Sequence, residues 1–476
     1  MVLNINNKSG FNFYSIFSAC LFCIGLALTE FLVDLQPLMT TFFVVYILTL
    51  VYSINTFGWL SLYCIYLYTS AFFMYDCIFL SLLSSSPSAF LLQDFPVRYS
   101  FSEDVGKVFI ICCFLTVYFG HISFCLFSRK KCCIGKNQDR LQNLQYVHKF
   151  EQFGVYIFLI ALIPVCTKIL IQLQFVMNYG FPAIYTSHFE EIKYPIWCTG
   201  AFLIFNTGYL IVLASNPNRK KFIIYTSISL FVSFLDALKG GRGGVISALI
   251  VSLYWYSKKY GNGKQFNLRK LILFFICVIL VISFITVLRE SYDGHDTFSN
   301  KTFIEKIYDI LWTQTTSRAV PMLIIRGDLE YHPYPFLFSP FTGWFLKLFY
   351  NYKAATMDYI RTFNDPSIVL ISNVSLGAGL IGSGYGSAFI GEAYEIDGYI
   401  GIVLCSVMFS YFIFVLEGKI CSVKNRSIPL VYTFISTIPI APRKEIFQFF
   451  KYDLMTMIVC YITLFFISLL IQKRKG

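Results

Sequence analysis

Charge is what this sequence has least of. Only 13% of its 476 residues are Asp, Glu, Lys or Arg, where a soluble domain carries about 25%. With 57% hydrophobic residues and a mean hydropathy of +0.64, a water-soluble fold is excluded and lipid is the expected solvent. Acids are scarcer than bases, 26 against 38, for a net charge of +12. The bases fall in short clusters between apolar runs rather than along one face, which excludes nucleic acid as a partner. Cysteine is not rare, at 15, but most lie in apolar runs or Lys/Arg-rich loops, and Cys132 and Cys133 make no CxxC pair. Neither a disulfide framework nor a metal site is expected. No small-residue cleavage site precedes Glu30 and Asp34, so the run from Phe13 is read as an uncleaved first helix.

What is present is a succession of apolar runs and an aromatic content of 19%, suited to rings at the headgroup level. A hydrocarbon core of about 30 Å needs about 20 apolar residues per helix, and helices satisfy their own backbone groups there. On that basis twelve spans are predicted, at residues 13–31, 42–60, 62–83, 108–127, 155–176, 196–214, 222–238, 245–256, 271–288, 399–416, 428–440 and 454–471. The fold class is therefore all-α and polytopic. Basic clusters set the orientation. Arg129, Lys130, Lys131, Lys136, Arg140 and Lys149 share one loop. Arg219, Lys220 and Lys221, then Lys258, Lys259, Lys264, Arg269 and Lys270, occupy alternate later loops. Lys419, Lys424 and Arg426 have the same parity, as do the terminal Lys473, Arg474 and Lys475. All should be cytoplasmic, with both termini; Arg443, Lys444 and Lys451 form a smaller group outside.

With that parity only Asp139, Glu151 and Glu417 lie on the cytoplasmic side. Enzymes that bind nucleotides through Mg²⁺ need carboxylates to hold the metal, so the chemistry is expected on the outer face. Two irregularities point to where. The segment 245–256 is too short to span alone and follows Lys239-Gly240-Gly241-Arg242-Gly243-Gly244; irregular backbone at membrane depth is tolerated where it lines a cavity or is buried in protein. The stretch 289–395 is far longer than the other loops, which marks it as functional or separately folded. It divides the chain into an N-terminal bundle (1–288), a large outer loop (289–395) and a C-terminal set of helices (396–476). Within the loop, residues 303–312 have helical apolar spacing, residues 331–352 are aromatic and proline-punctuated, and the Gly-rich apolar run 368–390 could re-enter the membrane.

Candidate residues follow from chemistry. Arg242, between Gly241 and Gly243, sits where the backbone can approach a ligand closely and where N–H groups beside a guanidinium make an anion-binding concavity; a turn whose Arg snorkels to headgroups is the plain alternative. Arg289 ends the ninth predicted helix, with Asp293 and His295 close behind. Arg318 and Arg326 are further cations in the large loop, each equally readable as a solvated charge. A diphosphate needs more than one guanidinium, because the planar fork matches phosphate oxygens. Gly382-Ser383-Gly384-Tyr385-Gly386-Ser387 is no Rossmann fingerprint, as no strand precedes it. Glu392 follows it at the mouth of a helix, and a carboxylate near the bilayer is functional by default, with capping or an Arg partner as the alternative. Glu30 and Asp34 compete as a second pair of outer acids.

These residues resemble the bacterial O-antigen polymerase family, the Wzy-type oligosaccharide repeat-unit polymerases of inner membranes. The resemblance rests on Gly240-Gly241-Arg242-Gly243-Gly244 opening a helix, on Arg289 ending one, and on Gly384-Tyr385-Gly386-Ser387, Glu392-Ala393-Tyr394 and Gly398 before the tenth span. It implies a GT-C-like membrane fold and glycosyl transfer on the periplasmic side. There a growing glycan leaves undecaprenyl pyrophosphate for an incoming lipid-linked repeat unit. It further implies no cofactor and no obligatory metal, cations at the departing pyrophosphate, and a general base for the acceptor hydroxyl. Glu392 is the first choice for that base, with His295 and Asp293 behind it. The expected partners are the lipid-linked oligosaccharide and the bilayer, with a chain-length regulator left open. An O-antigen ligase would look nearly the same. A flippase should show two similar halves and short loops on both faces, and a non-catalytic scaffold leaves Arg242 in its glycine cradle unexplained.

Overall fold

The computed structural model describes residues 8–92, 100–129, 144–180, 192–239, 243–261, 280–281, 283–285, 288, 319–327, 389–420, 427–443 and 448–473. The described elements are helical, with no strand among them. Among the described residues, six helices are long and apolar enough to cross a membrane: 11–32, 36–57, 62–81, 103–128, 148–179 and 389–419. Shorter apolar helices cover 201–214 and 454–470. Large apolar side chains such as Phe13, Phe31, Ile160 and Phe465 point outward from them, as expected where lipid is the solvent. The chain is a multi-pass membrane protein that folds as two compact units.

The first unit comprises residues 1–132, 307–417 and 438–447. Helices α1 (Lys8–Leu32) and α2 (Gln36–Phe57) form a hairpin whose tight reversal uses Val33 at φ 54°. Asp34 Oδ1 accepts the Gln36 N–H at 3.1 Å and the Ser88 hydroxyl, while Glu30 pairs with Lys107. The two acids that rival Glu392 thus hold α1 and the turn after it in place. Helix α3 (Leu62–Ser70) is capped by Ser61 Oγ on the Cys64 N–H at 3.1 Å. It passes through a π-helical turn, Ala71–Tyr75, into α4 (Asp76–Ser81). After α5 (Pro87–Leu92) comes α6 (Glu103–Arg129). His121 of α6 is fully buried, 3.2 Å from Ser53 Oγ of α2 and 3.4 Å from Cys125 Sγ, with the rings of Tyr14, Tyr52 and Tyr63 around it. One imidazole therefore joins four helices, its polarity met inside the bundle. This unit also holds α11 (Ala319–Arg326), α12 (Phe389–Lys419) and a 3₁₀ segment, Ile438–Arg443.

The second unit comprises residues 133–306, 418–437 and 448–476. Its tightest packing joins α7 (Leu144–Tyr179) to α8 (Ala201–Ala214). A Cβ on Gly208 would lie 2.6 Å from the Phe158 nitrogen, and one on Gly154 would lie 2.8 Å from the Val212 nitrogen. Two glycines, one per helix, let the backbones touch, the usual device where lipid supplies no hydrophobic drive between helices. Helix α9 (Arg219–Ala237) opens on an Asn218 cap, and Lys221 Nζ meets Glu151 Oε1 of α7 at 2.5 Å. That hydrogen bond holds Lys221 above the usual lysine range.

Helix α10 runs Gly243–Tyr260, longer than the 245–256 expected from apolar content. It gains Gly243 and Gly244 at one end and a polar last turn at the other, where Lys258 and Lys259 suit the negative end of the helix dipole. Helix α13 (Ile428–Thr437) stops short of the expected 440 and is followed by the Pro-containing 3₁₀ segment; α14 (Gln448–Lys473) closes the chain. The expected span 196–214 is likewise shorter as an α-helix, because its first part, Ile196–Cys198, is a 3₁₀ turn that leads into Gly200 at φ 69°.

Candidate functional site

Glu392 lies in the first turn of α12 and is only 3% exposed. The helix is broken just beyond it. Asp397 (φ −166°, ψ 53°) and Gly398 (φ 52°, ψ −130°) are non-helical, and the positive φ is one that glycine adopts without a steric penalty. A half-helix of residues 389–396 thus precedes the long segment that follows. A Cβ on Gly401 would lie 2.1 Å from the Ala393 carbonyl oxygen, so glycine is required where the chain folds back on the half-helix. Broken helices in membranes free backbone groups and are characteristic of substrate sites. Glu392 is not isolated there, since the residue has an interaction partner.

Gly391, beside Glu392, packs on α11: a Cβ there would come within 2.7 Å of Ile324 Cδ1 and 3.3 Å of Pro321 Cα. The half-helix bearing Glu392 is therefore seated directly on α11, which ends at Arg326 and Gly327 (φ 76°). Arg326 itself stacks over the Phe101 ring at 5.4 Å, and its Nη1 faces the Ser100 carbonyl at 3.5 Å. Its described contacts tie α11 to the start of α6, while Pro321 and Ile324 meet Gly391.

Two residues of this unit were not read from the sequence as site candidates. Asp76 is 6% exposed, follows the π-helical turn, and accepts the Cys77 N–H on Oδ1 at 2.8 Å. Its signal was available, because it is the one acid in the apolar run 62–83, and such acids mark sites. A π-turn inside a span is a second mark of this kind, but nothing in the side-chain pattern announces it. Arg443 places its guanidinium 5.9 Å from the ring of Phe73, which lies in that turn. It belongs to the small basic group whose parity differs from that of the other basic clusters.

In the other unit, Gly243 opens α10, and a Cβ added there would meet nothing within 4 Å. Among the described residues, therefore, nothing packs against the start of this helix. Arg242 and Gly241, Arg289, Asp293, His295 and Arg318 lie outside the described residues. Among the described residues no group of three His, Cys, Asp or Glu side chains could hold a metal ion.

Neither a curated protein nor a solved structure matches the chain. The sequence profile of the family described as O-antigen polysaccharide polymerase Wzy matches residues 11–475. The match runs through both compact units and through every span, and so this all-helical membrane chain belongs to the O-antigen polysaccharide polymerase Wzy family.

Proposed function

We propose that the chain lengthens an O-antigen glycan by moving the growing polymer from undecaprenyl pyrophosphate to an incoming lipid-linked repeat unit on the periplasmic face of the inner membrane. The observation that carries this reading is Glu392, a buried carboxylate on a half-helix before a glycine break. Glu392 takes the proton of the acceptor hydroxyl, and that oxygen attacks the anomeric carbon of the donor glycan. The bond from that carbon to the pyrophosphate oxygen breaks, and its electron pair leaves with the pyrophosphate. Because the leaving group is already a weak base, it needs cations rather than a general acid. Arg242, cradled by Gly241 and Gly243, and Arg289 take that role, with Arg318 and Arg326 as further cations of the outer loop.

His295 and Asp293 are the alternative bases. No step calls for a nucleotide or a cofactor, which accords with the scarcity of acids on the expected cytoplasmic side. The basic clusters support cytoplasmic termini and an outer loop of residues 289–395. About twelve spans in a GT-C-like arrangement is the architecture that fits this topology.

Glu392→Gln tests the base, since it keeps shape and removes the charge. Lipopolysaccharide from cells carrying it should show no O-antigen ladder at normal membrane abundance of the protein. Wild-type chain lengths in this variant would remove Glu392 from the chemistry and pass the role to His295 or Asp293.

A further inference from the structure

Lys168 is out of place. It sits within the apolar helix α7, in the candidate span 148–179, one turn after Pro164. A charged group at such a position is costly and is retained for function or pairing. Its ammonium nitrogen lies over two aromatic rings, 5.2 Å from the centroid of Tyr194 and 5.9 Å from that of Phe202. Ring faces attract a cation, but they do not neutralise it. No carboxylate pairs with Lys168 among the described residues.

The groups around it are matched so that donors are left over. Gln172, one turn along α7 and 7% exposed, donates from Nε2 to the Tyr194 hydroxyl oxygen at 3.0 Å. Its Oε1 accepts from Lys239 Nζ at 2.6 Å. Both ends of the amide are thus used. Tyr194 accepts from Gln172, so its own O–H is directed to no other described residue. Lys239 meets Asp236 at 2.5 Å, which balances one of the two ammonium charges and leaves that of Lys168. Among the described residues, the result is a small cluster in which the remaining capacity is N–H and O–H with one uncompensated positive charge. Such a cluster accepts an anion, and its depth in an apolar helix limits the anion to one carried by a lipid.

We propose that Lys168, Tyr194 and Lys239, with Gln172 fixing the last two, form a binding subsite for a lipid-borne phosphate group. This deepens the polymerase reading and rests on it only for the name of the lipid. Lys239 is three residues from Arg242, so on that reading the subsite adjoins the diphosphate clamp and orders one phosphate of a lipid-linked substrate. A phospholipid headgroup offers the same chemistry.

The test is binding by the purified full-length protein in detergent, a readout that needs no turnover. Farnesyl pyrophosphate serves as a short carrier analogue, with farnesol and phosphatidylglycerol micelles as the other arms. Wild type should bind farnesyl pyrophosphate and not farnesol. Lys168→Met should weaken that binding about tenfold, in line with loss of one hydrogen bond to a charged group. Tyr194→Phe, which keeps the ring and the fold, should weaken it by a smaller factor, and Lys168→Arg should retain it. If the loss in Lys168→Met is seen with phosphatidylglycerol alone, the subsite stands and its occupant is a headgroup. Unchanged affinity for both phosphate lipids in Lys168→Met and Tyr194→Phe would overturn the subsite. Should Glu392→Gln keep wild-type polymer while Lys168→Met loses binding, the catalytic reading fails and this one survives.

Discussion

An arginine that clamps a phosphate and one that anchors a helix in headgroups carry the same charge, and only their geometry separates them. The clamp uses the planar fork, which Lys lacks, whereas Lys snorkels as well as Arg. Arg242→Lys and Arg289→Lys should therefore each lose polymer nearly as completely as the Ala variants, because one missing donor to developing charge typically costs about 10² to 10³ in rate. Full ladders on a lipopolysaccharide gel from both Lys variants, at normal expression, would make the two arginines anchors. At this scale the sequence was informative where one residue was chemically out of place: Glu392 beside glycine proved buried at a helix break. Lys168 was equally anomalous, yet its meaning depends on Tyr194, Phe202 and Lys239, 26 to 71 positions away in the chain. No local pattern joins them.

Helix ends carry most of what the sequence says about direction. The Arg219-Lys220-Lys221 start of α9 and the Lys258-Lys259 end of α10 bracket two successive helices, and the proposed orientation puts both of these basic ends in the cytoplasm. Asn262, just past α10, is the better site for a reporter there, because Asn218 uses its side chain as a cap. In a cysteine-free background, Asn262→Cys should be shielded from an impermeant maleimide in intact cells, and Ser299→Cys should react. Labelling at position 262 would reverse the orientation. Long apolar runs gave the major helices well. The ends of α10 were misjudged because apolar content ignores Gly243, Gly244 and the lysines that helix geometry readily accepts. The break at Asp397 and Gly398 was not legible either: Gly398 was noted, but the choice between bend and continuous helix is made by the close approach of Gly401 to Ala393.

For the whole molecule, family membership, helical fold and membrane setting agree, and the reaction proposed for it makes one cellular demand. A polymerase acts before the glycan is passed to its final acceptor, so its loss leaves single repeat units available for that transfer. A ligase acts at the transfer itself. The direct measurement is a gel of lipopolysaccharide from a strain that lacks this chain and is otherwise intact. Core bearing a single repeat unit, with the full ladder restored by the wild-type gene, is the result expected here. Bare core, with polymer retained on its lipid carrier, would contradict the polymerase assignment and make the chain a ligase.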